Sequence, residues 1–308
     1  MAVPVLNHEF PSGDVISQET EMDRVIQDYK HTYLFYFLAT IIPWSFWGLA
    51  AYISYSTDYP YPMEVASLLA FVGLLAPVII AFVLIHRNKR LMSDVPQRMI
   101  NLRSGKPVYW VLTLLLMPAS ILLAQLVSLL LGYPVSQFAL SEHYSFTSGV
   151  FPVWFLLIAA PLIEELAWHS YGTDCLCNRF SLMKASMLFA FFWGIWHIPL
   201  SFINDYYHSN LVDAGWVSSL NFLVSLFPFV IIMNWLYYKT GRSILCTIVF
   251  HITAGYFNEI FATHPDSKVI QTGILIIVAI FIVLKERQLF FDSLVPASNT
   301  LVPSFNFR

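Results

Sequence analysis

Charged residues are scarce in this chain of 308 residues: Asp, Glu, Lys and Arg make up 11%, against about 25% in soluble domains. Hydrophobic residues make up 57%. A water-soluble fold of this composition lacks the polar side chains to cover its surface. The scarcity of charge therefore excludes an ordinary soluble domain and predicts a multi-pass integral membrane protein in contact with the lipid bilayer.

Basic residues and cysteines are also few. The 16 Lys and Arg residues are scattered, which excludes a nucleic-acid-binding surface. Cys175, Cys177 and Cys246 are an odd number, so they predict free thiols and not a disulfide framework. The first 30 residues are polar and acidic, without a basic start or an apolar stretch, so we expect no signal peptide in them.

Apolar segments long enough to cross a bilayer dominate the rest, since a hydrocarbon core of about 30 Å takes roughly 20 residues of helix. They show no strand-like alternation, so the predicted fold class is an all-α membrane protein with eight transmembrane helices. The predicted segments are 32–54, 64–86, 107–132, 150–171, 183–203, 215–238, 243–262 and 268–285.

Two polar tails flank the predicted membrane domain of residues 32–285. The N-terminal tail, residues 1–31, is rich in Asp and Glu, and four of its apolar residues follow helical spacing, which favours a short interfacial helix. The C-terminal tail covers residues 286–308. The residues at helical spacing are Met22, Val25, Ile26 and Tyr29.

Lys and Arg concentrate in one set of loops. The loop after the second segment, HRNKRLMSDVPQRMINLRSGK, is strongly basic, and the positive-inside rule makes it cytoplasmic. With eight segments, both termini are then cytoplasmic, and every basic residue except Lys268 lies on the inner side. We expect the location to be a bacterial cytoplasmic membrane.

Two adjacent carboxyl groups lie inside the fourth segment. Glu164 and Glu165 follow an apolar run in FPVWFLLIAAPLIEELAWHSYG, and His169 comes one turn later. A charged residue at the bilayer centre costs about 2.5–3.5 kcal/mol on insertion scales, so such residues indicate function by default. Glu165 and His169 are i, i+4 neighbours and are predicted to pair, which leaves Glu164 as the free general base.

Two further apolar segments each contain a histidine, His197 in the fifth and His251 in the seventh. At 1.5 Å per residue, Glu164 and both histidines fall in the middle or inner half of the membrane, so their side chains are able to meet. We predict a site formed by helices 4, 5 and 7, in which Glu164 and His197 activate water and His251 donates to the oxyanion. Pro161 is expected to loosen the helix just before the acids.

The alternative for polar residues inside a helix bundle is interhelical hydrogen bonding without catalysis. We interpret Asn221, Asn234 and Gln125 in this way, and Trp193 and Trp196 as packing around His197. An adjacent Glu pair with histidines on two other segments favours a functional site.

At these residues the sequence resembles the CPBP family, the CAAX-protease and bacteriocin-processing membrane proteins that include the type II prenyl-protein proteases. That family carries EExxxR, FxxxH and HxxxN or HxxxD, in this order, on an eight-helix core. The resemblance covers about residues 110–285. The corresponding stretches here are EELAWH at Glu164–His169, WGIWH at Trp193–His197 and HITAG at His251–Gly255.

The resemblance implies an intramembrane endopeptidase. It implies that Glu164 activates water together with His197, that Glu165 is a structural or polarising partner, and that His251 donates to the oxyanion. Its substrate is then a peptide or a lipid-modified protein at the membrane.

The chain departs from the family pattern at three positions. His169 replaces an arginine, Trp193 replaces a phenylalanine, and Gly255 replaces the asparagine or aspartate that completes the oxyanion site. Loss of one oxyanion donor typically costs about 10²–10³ in rate. Asn258 shares the helical face of His251 but lies about 10 Å further along the axis, so it replaces the donor only where the helix shifts or unwinds. The alternative is that Gly255 lets a backbone group or a bound water supply the donor.

Zinc is the cofactor to consider, because two histidines and a glutamate are ligands that it accepts. Glu164, His197 and His251 are the ligands in that case. The HExxH spacing is absent, and one glutamate does not easily act as both ligand and base. We therefore favour direct activation of water, with zinc as the alternative.

Three functions remain open from the sequence. The first is an endopeptidase that cuts a peptide or lipid-modified protein near the cytoplasmic side of the bilayer. The second is an acyl or lipid transferase or hydrolase on the same scaffold, and the third is a non-catalytic peptide-binding or immunity protein, which Gly255 favours. A transporter is disfavoured because the ionisable residues cluster at one site and do not form a relay through the spans.

Overall fold

The computed structural model describes residues 25–99, 101, 105–144, 146 and 149–294. Most of both predicted tails, including Met22 of the predicted interfacial helix, lies outside these residues. Within them the chain is helical apart from loops and one isolated bridge between Leu140 and Phe261. The predicted all-α class is therefore confirmed.

Twelve helices of the described residues are numbered here in chain order. A π-helical turn, Trp168–Gly172, joins α5 to α6, and short 3-10 turns lie at Val135–Phe138 and Ile198–Phe202. The helices are α1 (Thr32–Ser54), α2 (Pro62–His86), α3 (Lys89–Met99), α4 (Pro107–Leu129), α5 (Val153–Ala167), α6 (Thr173–Cys177), α7 (Leu182–Trp196), α8 (Tyr207–Asp213), α9 (Trp216–Lys239), α10 (Ile244–Ile260), α11 (Pro265–Lys285) and α12 (Arg287–Phe291).

Prolines set the first residue of three long helices. Pro62, Pro107 and Pro265 begin α2, α4 and α11. Proline suits this position because its φ is already helical and its missing N–H is one that the first turn does not use. The sequence thus fixes where the chain re-enters the helical bundle.

Seven helical stretches of the described residues are long and apolar enough to cross a membrane, so the chain is an integral multi-pass membrane protein. The stretch from α5 through the π-helical turn to α6 is one of them, Val153–Cys177. The eighth apolar segment forms α10, whose 17 residues extend about 25 Å at 1.5 Å per residue. Eight complete spans and two cytoplasmic termini stay predictions.

The short helix α10 lies inside the bundle, against α4, α5 and α9. Its Cys246 contacts Thr113 of α4, with 3.0 Å between Sγ and Oγ1. The second half of α9 is buried without interruption from Pro228 to Tyr237, as expected of a helix surrounded by protein. All three cysteines are free, as predicted, and they are also buried.

A buried ion cluster joins α3, α6 and the start of α10. Arg98 lies 3.3 Å from Asp174, and Arg242 lies 3.1 Å from Asp94 and also contacts Asp174. The predicted basic loop therefore contributes a buried arginine to the bundle. Leu91, Val95 and Arg98 share one buried face of α3 at i, i+4 and i+7 spacing.

Candidate active site

A cavity of about 580 Å³ lies within the bundle. Glu164, His197 and His251 all line it, so the three predicted residues face one space. Its other lining residues are mostly apolar, and the buried indoles of Trp193 and Trp196 form part of its inner wall. The fourth, fifth and seventh predicted segments correspond to α5, α7 and α10. These three helices line one cavity, as predicted.

Glu164 lies at the inner end of this cavity with 8% of its surface exposed. Its Oε2 accepts a hydrogen bond of 2.9 Å from Nε1 of Trp193 and a longer one of 3.4 Å from Nε1 of Trp168. Both indoles use the same oxygen, so Oε1 remains available as a base. The two indole donors also fix the plane of the carboxylate.

His197 ends α7 and is bound to the same tryptophan. Its Nδ1 lies 2.6 Å from the carbonyl oxygen of Trp193. A carbonyl only accepts, so Nδ1 carries the proton and Nε2 presents a lone pair in the neutral ring. Trp193 therefore holds both Glu164 and His197, a role beyond the packing that the sequence predicted.

Glu165 points away from the cavity and is fully buried. Its Oε2 contacts Nδ1 of His169 and its Oε1 lies 2.9 Å from Nδ1 of His251. The predicted contact with His169 is thus present, and a second histidine shares the carboxylate. Glu165 holds His251 with its Nδ1 directed at the carboxylate, which leaves Nε2 for the cavity.

His169 lies in the π-helical turn and not in a regular helix. Its Nε2 lies 2.9 Å from Oδ1 of Asn234, whose Nδ2 donates to Ser186 at 2.8 Å. Asn234 was predicted to form an interhelical hydrogen bond without a role in catalysis. Its contact with His169 connects α9 to Glu165. The prediction that Pro161 loosens the helix before the two acids is wrong. Helix α5 stays α-helical through Pro161, and the irregular π-helical turn begins only after Glu164 and Glu165.

The π-helical turn is held in place by two residues that the sequence analysis did not select. The guanidinium of Arg98 donates to the carbonyl oxygens of His169 at 3.0 Å and Ser170 at 3.3 Å. The hydroxyl of Tyr237 donates to the carbonyl of His169 at 3.0 Å. A π turn leaves carbonyls without their usual helical partners, and these donors satisfy them.

Position 255 offers no side-chain donor. A Cβ on Gly255 would meet only Leu157 Cδ2, at 3.8 Å, so a larger residue has room there. Asn258 lines the same cavity but donates to the hydroxyl of Tyr207 at 3.4 Å. Helix α10 stays α-helical to Ile260, so the unwinding that Asn258 requires to replace the missing donor is absent from the described structure.

His208 of α8 is a cavity residue that sequence reasoning missed. Its ring stacks on that of His197 with 4.8 Å between centroids and 25° between planes. Both of its ring nitrogens are buried and have no hydrogen-bond partner among the described residues. No spacing rule points to it, because it lies in a connection between two spans.

A zinc site is not assembled by these residues. Among the described part of the chain, no three His, Cys, Asp or Glu side chains lie close enough together to hold a metal ion. The donor set does not fit the zinc alternative.

The cavity is exposed at one end of the bundle. Of its lining residues, the exposed ones are Ala214, between α8 and α9, and Pro265, the first residue of α11. The basic residues of α3, by contrast, lie at the opposite end, beyond the last residue of α2. The mouth and the basic end are therefore on opposite sides of the bundle.

Comparisons with known proteins show the family of this chain. A family model described as type II CAAX prenyl endopeptidase Rce1-like matches residues 146–257, which contain all three motif stretches. The CAAX prenyl protease 2 of Methanococcus maripaludis is 38% identical over 273 residues, which cover 88% of this chain and 100% of the relative. The chain therefore belongs to the Rce1-like family of type II CAAX prenyl endopeptidases within the CPBP proteases, and it is an intramembrane endopeptidase, a hydrolase.

Proposed function

We propose that this endopeptidase hydrolyses its substrate with a water molecule activated by Glu164 and His197. The observation that carries this proposal is the position of Trp193, which donates to Glu164 through its indole and accepts from His197 through its carbonyl. A carboxylate oxygen and an imidazole Nε2 are thereby directed at one cavity. Water bound between them has two acceptors for its two protons.

In the first step, the water oxygen attacks the carbonyl carbon of the scissile bond, and one water proton passes to Glu164. His197 accepts a hydrogen bond from the other water proton and orients the water. The electron pair of the C=O bond moves to oxygen, and His251 donates from Nε2 to this oxyanion. Glu165, which contacts Nδ1 of His251 at 2.9 Å, stabilises the protonated ring.

In the second step, the oxyanion reforms the carbonyl and the C–N bond breaks. The proton on Glu164 passes to the leaving nitrogen, so the products are a carboxylic acid and an amine and Glu164 returns to its carboxylate. His169 and Asn234 act through Glu165 and do not touch the reacting atoms. They are positioning residues.

The proposed substrate is a peptide or a lipid-modified protein at the membrane. The name of the Methanococcus maripaludis relative describes a protease of CAAX prenyl proteins, and for this chain we propose the same class, a prenylated protein. The mostly apolar lining of the cavity supports this, because a prenyl chain gains free energy by leaving water.

The proposed location is a cytoplasmic membrane with the basic end of the bundle inside the cell. A bacterial source stays a prediction, and the relative reported above is archaeal. Because the mouth lies opposite the basic end, this orientation directs the mouth to the outer side. We therefore propose that the substrate segment enters from the outer half of the bilayer.

The test is a product analysis with a defined probe. A farnesylated peptide that ends in a CAAX sequence is incubated with the purified protein and with Glu164→Gln, and products are identified by mass spectrometry. We expect loss of a C-terminal fragment with the parent protein only. A changed acyl chain on membrane lipids would favour the transferase alternative, and intact probe that co-purifies would favour the non-catalytic one.

A further inference from the structure

The proposed reaction centre has fewer oxyanion donors than peptide hydrolysis generally uses. His251 supplies one donor from Nε2. One turn later on the same helix, Ala254 and Gly255 line the cavity without any polar side-chain atom. Asn258 is a further turn away and donates to Tyr207 and Glu259. A second donor therefore has to come from another element.

Helix α8 is the element that lies across this part of the cavity. The contact of Tyr207 with Asn258, 3.4 Å from hydroxyl to amide nitrogen, brings the start of α8 to the second turn after His251. The next residue of α8, His208, stacks on His197. His208 thus lies on the wall that connects the water-activating histidine with the helix that lacks a donor.

His208 has ring nitrogens that are able to form a hydrogen bond with a ligand. A buried polar group without a partner costs about 1–3 kcal/mol, and both ring nitrogens of His208 are buried and unpartnered among the described residues. Burial and the neighbouring ring of His197 lower the pKa of His208 well below its usual value. The ring is therefore neutral at pH 7 and retains one N–H donor.

None of the described residues accepts a hydrogen bond from the ring of His208. The rings packed around His208 are those of His197, Tyr206, Tyr207 and Phe222. They contact it as aromatic surfaces, so the ring is held firmly in place while its nitrogens stay unpaired. A preorganised donor of this kind needs no rearrangement when negative charge develops on the substrate.

We infer that the ring N–H of His208 donates to the substrate carbonyl oxygen as it becomes the oxyanion, and so supplies the donor that Gly255 lacks. The inference rests on the proposed function. It makes His208 a catalytic residue that touches substrate, and it explains how a glycine is accommodated one turn after His251.

Two substitutions and their combination test the inference, with cleavage of the farnesylated CAAX peptide as the assay. His208→Phe keeps a ring to stack on His197 but removes the donor. Gly255→Asn places an amide donor one turn after His251, where the structure has room for it. Val212→Ala, at a residue of α8 that is 53% exposed and does not line the cavity, is the matched control.

We expect His208→Phe to lower kcat about 100-fold with little change in KM, because the donor acts only in the transition state. The melting temperature is expected to stay within a few degrees of the parent, as for Val212→Ala. His208→Gln, which retains an N–H donor, and the double variant His208→Phe with Gly255→Asn are expected to recover at least about tenfold of this loss.

Two results would overturn the inference. One is a kcat of His208→Phe within about twofold of the parent, and the other is a loss that neither His208→Gln nor Gly255→Asn relieves. Glu164→Gln is measured beside them: if Glu164→Gln is inactive while His208→Phe is fully active, this inference alone fails. If Glu164→Gln is active, the proposed function fails first.

Discussion

The indole of Trp193 donates a 2.9 Å hydrogen bond to the carboxylate of Glu164. The backbone carbonyl of the same residue accepts from His197 one turn further along α7. Because residues 193 and 197 are one helical turn apart, Trp193 contacts both Glu164 and His197, the two groups proposed to bind water. A phenylalanine at this position would retain the carbonyl contact and lose the indole donor.

We predict that Trp193→Phe lowers kcat about 10- to 100-fold, since a hydrogen bond to a charged group is worth about 1.5–3 kcal/mol. Trp44→Phe is the control, because its indole donates to a backbone carbonyl, that of Trp196, at 3.2 Å and does not contact Glu164. Steady-state cleavage of the farnesylated peptide measures both. Equal effects of the two substitutions would argue against an orienting role for Trp193.

The contact between Glu165 and His169 is predicted to matter for stability. His169→Ala leaves one oxygen of a fully buried carboxylate without its partner, a change that costs about 3 kcal/mol. Lys239→Ala breaks the pair of Lys239 with Glu286, in which each side chain is 28% exposed, and such pairs contribute less than about 1 kcal/mol. Thermal unfolding in detergent compares the two variants, and a similar melting temperature for both would contradict the prediction.

Arg98 is predicted to be irreplaceable by lysine. Its guanidinium reaches the carbonyls of His169 and Ser170 together with Asp174, and a single ammonium cannot match this planar arrangement. Arg98→Lys is therefore expected to destabilise the protein by about 2 kcal/mol or more. Arg90→Lys on the same helix, where the side chain is 69% exposed, is expected to have no measurable effect on the melting temperature.

The side on which the cavity opens is testable by cysteine labelling. The native cysteines are buried, so background reaction is expected to be low. Asp213→Cys, on the rim formed by α8, is expected to react with a membrane-impermeant maleimide in intact cells, whereas Gln97→Cys on α3 reacts only after permeabilisation. The reverse pattern would overturn the proposed orientation and leave the proposed chemistry unaffected.

Most helix boundaries were predictable because apolar length is a strong signal in a membrane protein. The segment predicted at 32–54 matches α1, and the other predicted bounds differ from those observed by a few residues. The fourth segment runs on to Cys177, because the π-helical turn continues the span beyond the last apolar run. The sequence does not show that α10 is shorter than a full span, since Phe261 and Ala262, which follow its last residue, are also apolar.

The site was predictable only in its ionisable residues. Glu164, His197 and His251 stand out because charge is rare in apolar segments. Trp193 and Asn234 do not, because a tryptophan and an asparagine are equally consistent with packing. Arg98 had a usable signal, since its i, i+7 relation to Leu91 places it on the buried face of α3. His208 had none, because only the folded chain brings α8 over the cavity.

The role of Glu164 is tested most directly by the rate of peptide cleavage in Glu164→Gln. The amide oxygen still accepts from the indole of Trp193, so the melting temperature is expected to match that of the parent. General-base catalysis contributes about 10²–10⁴-fold to the rate. We therefore expect kcat of Glu164→Gln to fall by at least about 10²-fold. A folded Glu164→Gln protein that cleaves the peptide at the parent rate would contradict the proposed mechanism.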